Sequence, residues 1–146
     1  MKATVDESID CMRAADGNVY IEAEIVVRSL RVPFVLSRCK KTTHKGACNK
    51  VVSKGHCQAG HSEEACGSAL KMCAYVQFND AKEDSRVHNA YLMPSALATM
   101  IGVSTNELLK FSYGMQMTIA KEFAQSVFIA KLSIRPGHMC IVSFVQ

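Results

Sequence analysis

From Arg38 to Gly67 the sequence has neither the helical nor the strand period, although strict alternation runs before it and resumes after it. A structureless stretch of that length inside a compact domain needs something other than an oily core to order it. The segment is rich in Lys, Gly, Cys and His, and Cys39, Cys48, Cys57 and Cys66 lie in it with His44, His56 and His61. Thiolates and imidazoles are the groups that hold zinc, and a structural site fills all four tetrahedral positions with them. An ion bound there would offset the ordering entropy that a polar loop cannot otherwise recover.

Cysteine arithmetic points the same way. Seven cysteines cannot all pair within one chain, so a disulfide framework is a poor explanation for them. In a reducing compartment, cysteines clustered with histidines act as metal ligands or as small buried residues. Cys11, Cys73 and Cys140 stand outside the cluster among apolar neighbours and read as structural.

The flanks predict a small β-rich domain. Thr4 and Glu7 have capping-box spacing ahead of Val5, Ile9 and Met12, which predicts a short helix over residues 4–14. Val19, Ile21, Ala23, Ile25 and Val27 alternate with polar residues as a half-buried strand does, and Asp16-Gly17-Asn18 turns into it. The short apolar run Phe34-Val35-Leu36 follows Pro33. After the excursion, Leu70, Met72, Ala74, Val76 and Phe78 share one predicted face, Asn79-Asp80 opens a turn, and residues 86–92 return. Pro94 starts a helix closed near Gly102, Ser104 caps another with Leu108 and Leu109, and residues 115–124 add a further turn or two. Two last strands, 127–134 and 139–145, meet at Arg135-Pro136-Gly137-His138.

That order suits an all-β, five-stranded Greek-key barrel of the OB type with short helices at its end. The 146 residues, 49% hydrophobic, are enough for one domain, residues 1–146, with the excursion at about 38–67 inserted in it. No apolar run approaches the roughly 18 residues that span a bilayer, and the N-terminus lacks a signal peptide's apolar stretch. An intracellular, soluble protein or a fragment of one is the expectation.

The excess of 17 Lys and Arg over 13 Asp and Glu is mild, but its placement is not. Between Ile25 and Ser62 lie Arg28, Arg31, Arg38, Lys40, Lys41, Lys45, Lys50 and Lys54 with no acidic residue. Such a positive lobe beside aromatic faces is what single-stranded nucleic acid requires. Tyr75, opposite its strand's apolar face and near Lys71, and Tyr20, similarly placed, are the stacking candidates. Enzyme chemistry finds no support: there is no phosphate-binding glycine loop, nucleophile elbow or deaminase signature, and only Glu63 and Glu64 lie near the cluster as possible bases.

The run Phe34-Val35-Leu36-Ser37-Arg38-Cys39, then Cys48-Asn49-Lys50-Val51-Val52, then Gly55-His56-Cys57, resembles the third DNA-binding domain of the replication protein A large subunit. Tyr75-Val76-Gln77-Phe78-Asn79-Asp80 and the opening Thr4-Val5-Asp6-Glu7-Ser8-Ile9 continue the resemblance, so that it covers nearly the whole chain. The segment Ile101–Leu109 is similar to divergent relatives such as the meiosis-specific paralogue, shieldin or the large subunit of the telomeric CST complex.

The resemblance implies a zinc ribbon inserted in the barrel, with Cys39 and Cys48 in the first knuckle and Cys57 and His61 in the second. Both gaps depart from the family's spacing, which leaves His44, His56 and Cys66 as rivals for His61. It further implies a nuclear, non-enzymatic module for single-stranded DNA in replication, recombination, meiosis, repair or telomere maintenance, with Arg38, Lys40, Lys41, Lys71 and Tyr75 on the DNA and a partner subunit alongside. A barrel that docks a protein and binds little DNA is the alternative.

Overall fold

The computed structural model describes residues 4–12, 18–39, 41–48, 50, 52–53, 56–57, 59–61 and 69–145, without the side chains of Cys11, Met12, Arg38, Thr43, Ala47, Ser53, His56 and Ala69. Alternation dictates the barrel. Strand β1 (Val19–Leu30) buries Ala23, Ile25, Val27 and Leu30 and turns Tyr20, Glu22 and Glu24 outward. Strands β8 (Ala74–Asp80), β9 (Val87–Leu92), β10 (Val127–Arg135) and β11 (His138–Val145) complete a closed barrel in the order β1-β10-β11-β9-β8. All ladders are antiparallel except the short parallel pairing of β11 with β9 at Cys140–Tyr91 and Ile141–Leu92. This is the five-stranded Greek-key barrel of the OB type. Phe34, Phe78, Leu92, Leu97, Leu132 and Ile141 fill its interior. Among the described residues no helix is long and apolar enough to cross a membrane.

Helices close the barrel. Helix α2 (Pro94–Ile101) packs on β11, and α4 (Tyr113–Phe123) packs on β1. Gly102 ends α2 at φ 87°, in the left-handed region where glycine carries no Cβ penalty. Ser104 and Glu107 form a reciprocal capping box on the short α3 (Thr105–Leu108). The sequence predicts all three helices, with α4 starting earlier than expected because the Ser112 hydroxyl accepts from the Met115 N–H and caps it.

Helix α1 (Val5–Met12) is anchored from far along the chain. Thr4 Oγ1 accepts from the Glu7 N–H at 3.2 Å, as the spacing predicts. The preceding two N–H groups, of Val5 and Asp6, donate to the two carboxylate oxygens of Asp80 at 2.7 and 3.0 Å. Asp80 is only 1% exposed and places its carboxylate at the positive end of the helix. In the same first turn, the Asp6 carboxylate accepts from the Arg86 N–H and pairs with His88 Nε2 at 2.6 Å.

Partial burial alone would raise the Asp6 carboxyl, but the His88 and Arg86 contacts outweigh it and hold its pKa below the ordinary value. A carboxylate with a lowered folded pKa stabilises the fold above its unfolded value, near 3.9, and ceases to as pH falls through the folded value. Acid titration followed by amide protection of α1 should therefore show α1 loosening below about pH 4. Asp6→Asn should remove that step.

Leu70 corrects the sequence reading. It is 54% exposed and does not share the core face of Val76 and Phe78. The expected single strand is two: β7 (Ala69–Met72) pairs with β2 (Val35–Arg38) in a ribbon outside the barrel, and β8 belongs to the barrel. Between them the Cys73 N–H donates to the Phe34 carbonyl at 2.7 Å, so the chain changes partner at that residue and alternation does not carry across.

Candidate metal centre and nucleic-acid face

The excursion between β1 and β8 folds on its own small hairpins. β3 (Thr42–Thr43) pairs with β4 (Gly46–Ala47), and β5 (Val52–Ser53) with β6 (His56–Cys57). The first hairpin explains the wide gap between Cys39 and Cys48. Its two-residue loop, His44-Lys45, leads into Gly46 at φ 102°, and the Cys48 N–H closes onto the Lys41 carbonyl at 2.8 Å, returning Cys48 to the side of Cys39. The second gap closes as a tight turn. The Gly60 N–H donates to the Cys57 carbonyl with Gly60 at φ 87°, and the His61 N–H points at Cys57 Sγ at 3.4 Å.

The result is a Cys3His cluster, with one donor atom each from Cys39, Cys48, Cys57 and His61, all within 4.8 Å of one another. Zinc bonds of about 2.3 Å to sulfur and about 2.0 Å to nitrogen set tetrahedral edges of roughly 3.8 Å between sulfurs and roughly 3.5 Å between sulfur and nitrogen. Here Cys48 Sγ and Cys57 Sγ are 3.9 Å apart, and His61 Nδ1 lies 3.6 Å from Cys39 Sγ and 3.3 Å from Cys57 Sγ. The donors fit a tetrahedral ion of that size.

Cys39 and Cys57 are buried, and with Cys48 and Val52 they form a cluster separate from the barrel core. The Lys50 amide favours the Cys48 thiolate, yet burial and the adjacent Cys39 and Cys57 sulfurs raise its pKa overall. A divalent cation among these sulfurs reverses that penalty. Of the three rivals, His44 sits exposed in the hairpin loop, away from the cluster. Cys66 and the His56 side chain lie outside the described residues.

Beside this lobe is the outward face of β8 and β9, the second and third strands of the barrel. Val76, Phe78 and Ala90 point inward, so Tyr75 and Gln77 on β8 and Asn89 and Tyr91 on β9 point out. Tyr75, 43% exposed, stands directly opposite Tyr91, and their rings meet edge to face at 5.6 Å. Burial raises the Tyr91 phenol above its ordinary pKa, and Cys73, Cys140 and Tyr75 add to the shift, so the ring is neutral at physiological pH.

Arg31, at the root of the excursion, donates its N–H to the Tyr75 carbonyl at 2.9 Å. Lys71 is exposed on β7, and Lys41, Lys45 and Lys50 are exposed on the lobe. The Arg38 side chain and Lys40 lie outside the described residues. Tyr20 is 72% exposed but stands on β1, opposite Ser133 of β10, apart from the β8–β9 face. Tyr91 has no place in the sequence reading; a β8–β9 register counted back from the turn would have placed it beside Tyr75.

A solved structure of a replication protein A heterotrimer bound to ssDNA contains a chain that superposes on this one with a TM-score of 0.59. The two are 14% identical over 98% of this chain and 35% of the other, so this chain spans about a third of the solved chain it matches. At that identity the likeness establishes the OB fold. No family profile matches the sequence, and no curated protein matches it.

Proposed function

We propose that this barrel is a non-enzymatic single-stranded-DNA-binding module of a replication-protein-A-like factor, with a structural zinc ion at Cys39, Cys48, Cys57 and His61 ordering a basic ribbon of about residues 38–67. The observation that carries this reading is the juxtaposition of the Tyr75–Tyr91 pair with a lysine-bearing, metal-competent lobe that leaves the barrel next to it. The face of the second and third strands and the loop between the first and second are where OB barrels take oligonucleotides. Exposed aromatic rings stack bases whatever their sequence, and lysines neutralise phosphates without reading them.

The zinc serves to hold the lobe, since four protein ligands leave no open position for substrate. The reading also implies a nuclear protein in replication, recombination, repair or telomere maintenance, working with partner subunits; support for that is the OB likeness to a chain of a DNA-bound heterotrimer.

Fluorescence anisotropy with labelled oligo-dT should show affinity falling steeply with salt, with a log–log slope of about −0.7 for each phosphate neutralised. Reversing Lys41 and Lys71 to Glu should weaken binding at least tenfold and flatten that slope. Reversing Lys40 together with Lys41 should do the same. Binding unchanged by these reversals would count against the lobe as a DNA contact, and no binding at low salt would overturn the proposal.

A further inference from the structure

Arg28 stands in β1 at a bulge, where the pairing with β8 slips between Val27 and Ser29. Along β8, Tyr75, Gln77 and Asn79 take the outward positions, alternating with buried Val76 and Phe78. The Arg28 guanidinium reaches the last of the three: Nε donates to Asn79 Oδ1 at 2.5 Å, and Nη1 donates to Gln125 Oε1 at 3.1 Å.

Both of its holders are themselves fixed. The Asn79 amide nitrogen gives its two N–H groups to the Asp80 carbonyl at 3.0 Å and to Ser85 Oγ at 2.7 Å, which leaves Oδ1 for the arginine. Gln125 stands at φ 65°, in the left-handed region that few residues other than glycine adopt. Its N–H donates to the Val27 carbonyl at 2.7 Å, and the Val27 N–H donates to the Ser126 carbonyl at 2.9 Å.

Two neutral amides thus position a cation without neutralising it. Among the described residues no carboxylate pairs with Arg28, whereas Arg86 meets both Asp6 and Asp10. The Asp80 carboxylate, next along β8, is turned to the N–H groups of α1 instead. Arg28 is exposed, and among the described residues only two of its five guanidinium N–H groups have acceptors. A planar fork with donors left over matches the paired oxygens of a phosphate. Asn79 is four residues along β8 from Tyr75, about 13 Å. The lobe leaves the barrel at the Tyr75 end, where the Arg31 N–H meets the Tyr75 carbonyl, so the tyrosines lie between the lobe's lysines and Arg28.

We propose that Arg28 is a phosphate-binding residue on the barrel itself, taking a backbone phosphate of the strand whose bases stack on Tyr75 and Tyr91. This rests on the single-stranded-DNA reading above and adds to it a contact outside the lobe.

The test is a salt titration of the whole chain's binding to labelled oligo-dT of about 15 nucleotides. Arg28→Gln should weaken binding about tenfold, the scale of a hydrogen bond to a charged group, and reduce the log–log salt slope by about 0.7, the share of one phosphate. Arg28→Lys, which keeps the charge, should keep the slope. Lys131→Gln, on β10 opposite Glu22, should leave affinity and slope as in the parent. Glutamine retains an amide for Asn79 at an exposed position, so Arg28→Gln keeps the fold, read as a urea midpoint near the parent's. A slope unchanged in Arg28→Gln overturns the phosphate assignment and leaves the DNA-binding reading standing. So does a slope lost equally in Arg28→Lys, or a loss of the same size in Lys131→Gln. Absence of any dT binding by the parent overturns both.

Discussion

Serine in place of Cys57 is expected to release the zinc ion, disorder the lobe around residues 39–61 and weaken oligo-dT binding by more than tenfold, while the barrel still unfolds cooperatively. The lobe and the barrel have separate interiors: Cys39, Cys57, Cys48 and Val52 form one, and the large apolar cluster around Phe34, Phe78 and Leu97 forms the other. Structural zinc contributes on the order of 10 kcal/mol to the fold of small metal-ordered segments, so losing a thiolate removes most of what orders the lobe. Elemental analysis of reduced protein should find one zinc per parent chain and none in the Cys57→Ser variant. His61→Ala should behave similarly, and His44→Ala should keep its zinc. A parent chain without zinc, or a full complement retained by Cys57→Ser, would overturn the metal assignment.

Asp80→Ala should destabilise the barrel strongly although it deletes no apolar core side chain. It leaves the Val5 and Asp6 N–H groups without their acceptors and removes a buried anion from the end of α1. A buried donor stripped of its partner costs about 1–3 kcal/mol, so the expected loss is about 3 kcal/mol, read as a lower urea midpoint. Asp80→Asn, which keeps one carbonyl oxygen toward the helix, should lose less. Hydrogen exchange should show α1 opening first, because Val5 also joins the barrel core only while the helix is docked. An unchanged midpoint in Asp80→Ala would show that the helix is held by packing alone.

The barrel was legible because its signals are local. Alternation in β1, the Pro94 and Gly102 boundaries of α2, the Ser104 cap and the Pro136-Gly137 turn each act within a few residues, and each appears where the sequence places it. What escaped were features set by pairing across the chain. Leu70 reads as core until β7 is seen to pair with β2 outside the barrel. Tyr91 gains meaning only from its register with Tyr75, and Asp80 reads as a turn residue although it caps a helix 75 positions earlier. The candidate metal site stood between these cases. Residue types and clustering marked the segment, and the family resemblance picked out the four donors with His44, His56 and Cys66 as rivals, but only the hairpin at Thr42–Ala47 shows why an eight-residue gap still brings Cys48 to Cys39.

Where the lobe joins the barrel, Gln116 of α4 is 4% exposed, and its carbonyl oxygen accepts the N–H groups of Phe34 at 2.9 Å and Val35 at 3.3 Å. Its amide nitrogen donates in turn to the Phe111 carbonyl at 3.0 Å, so the root of the ribbon is bolted to α4. Beside the backbone bonds there, the footing of the whole projection is therefore shared by one side chain that is neither a candidate ligand nor a lysine. A change at that bolt would re-aim an intact ribbon, much as shifting a crane's footing swings its arm without bending it.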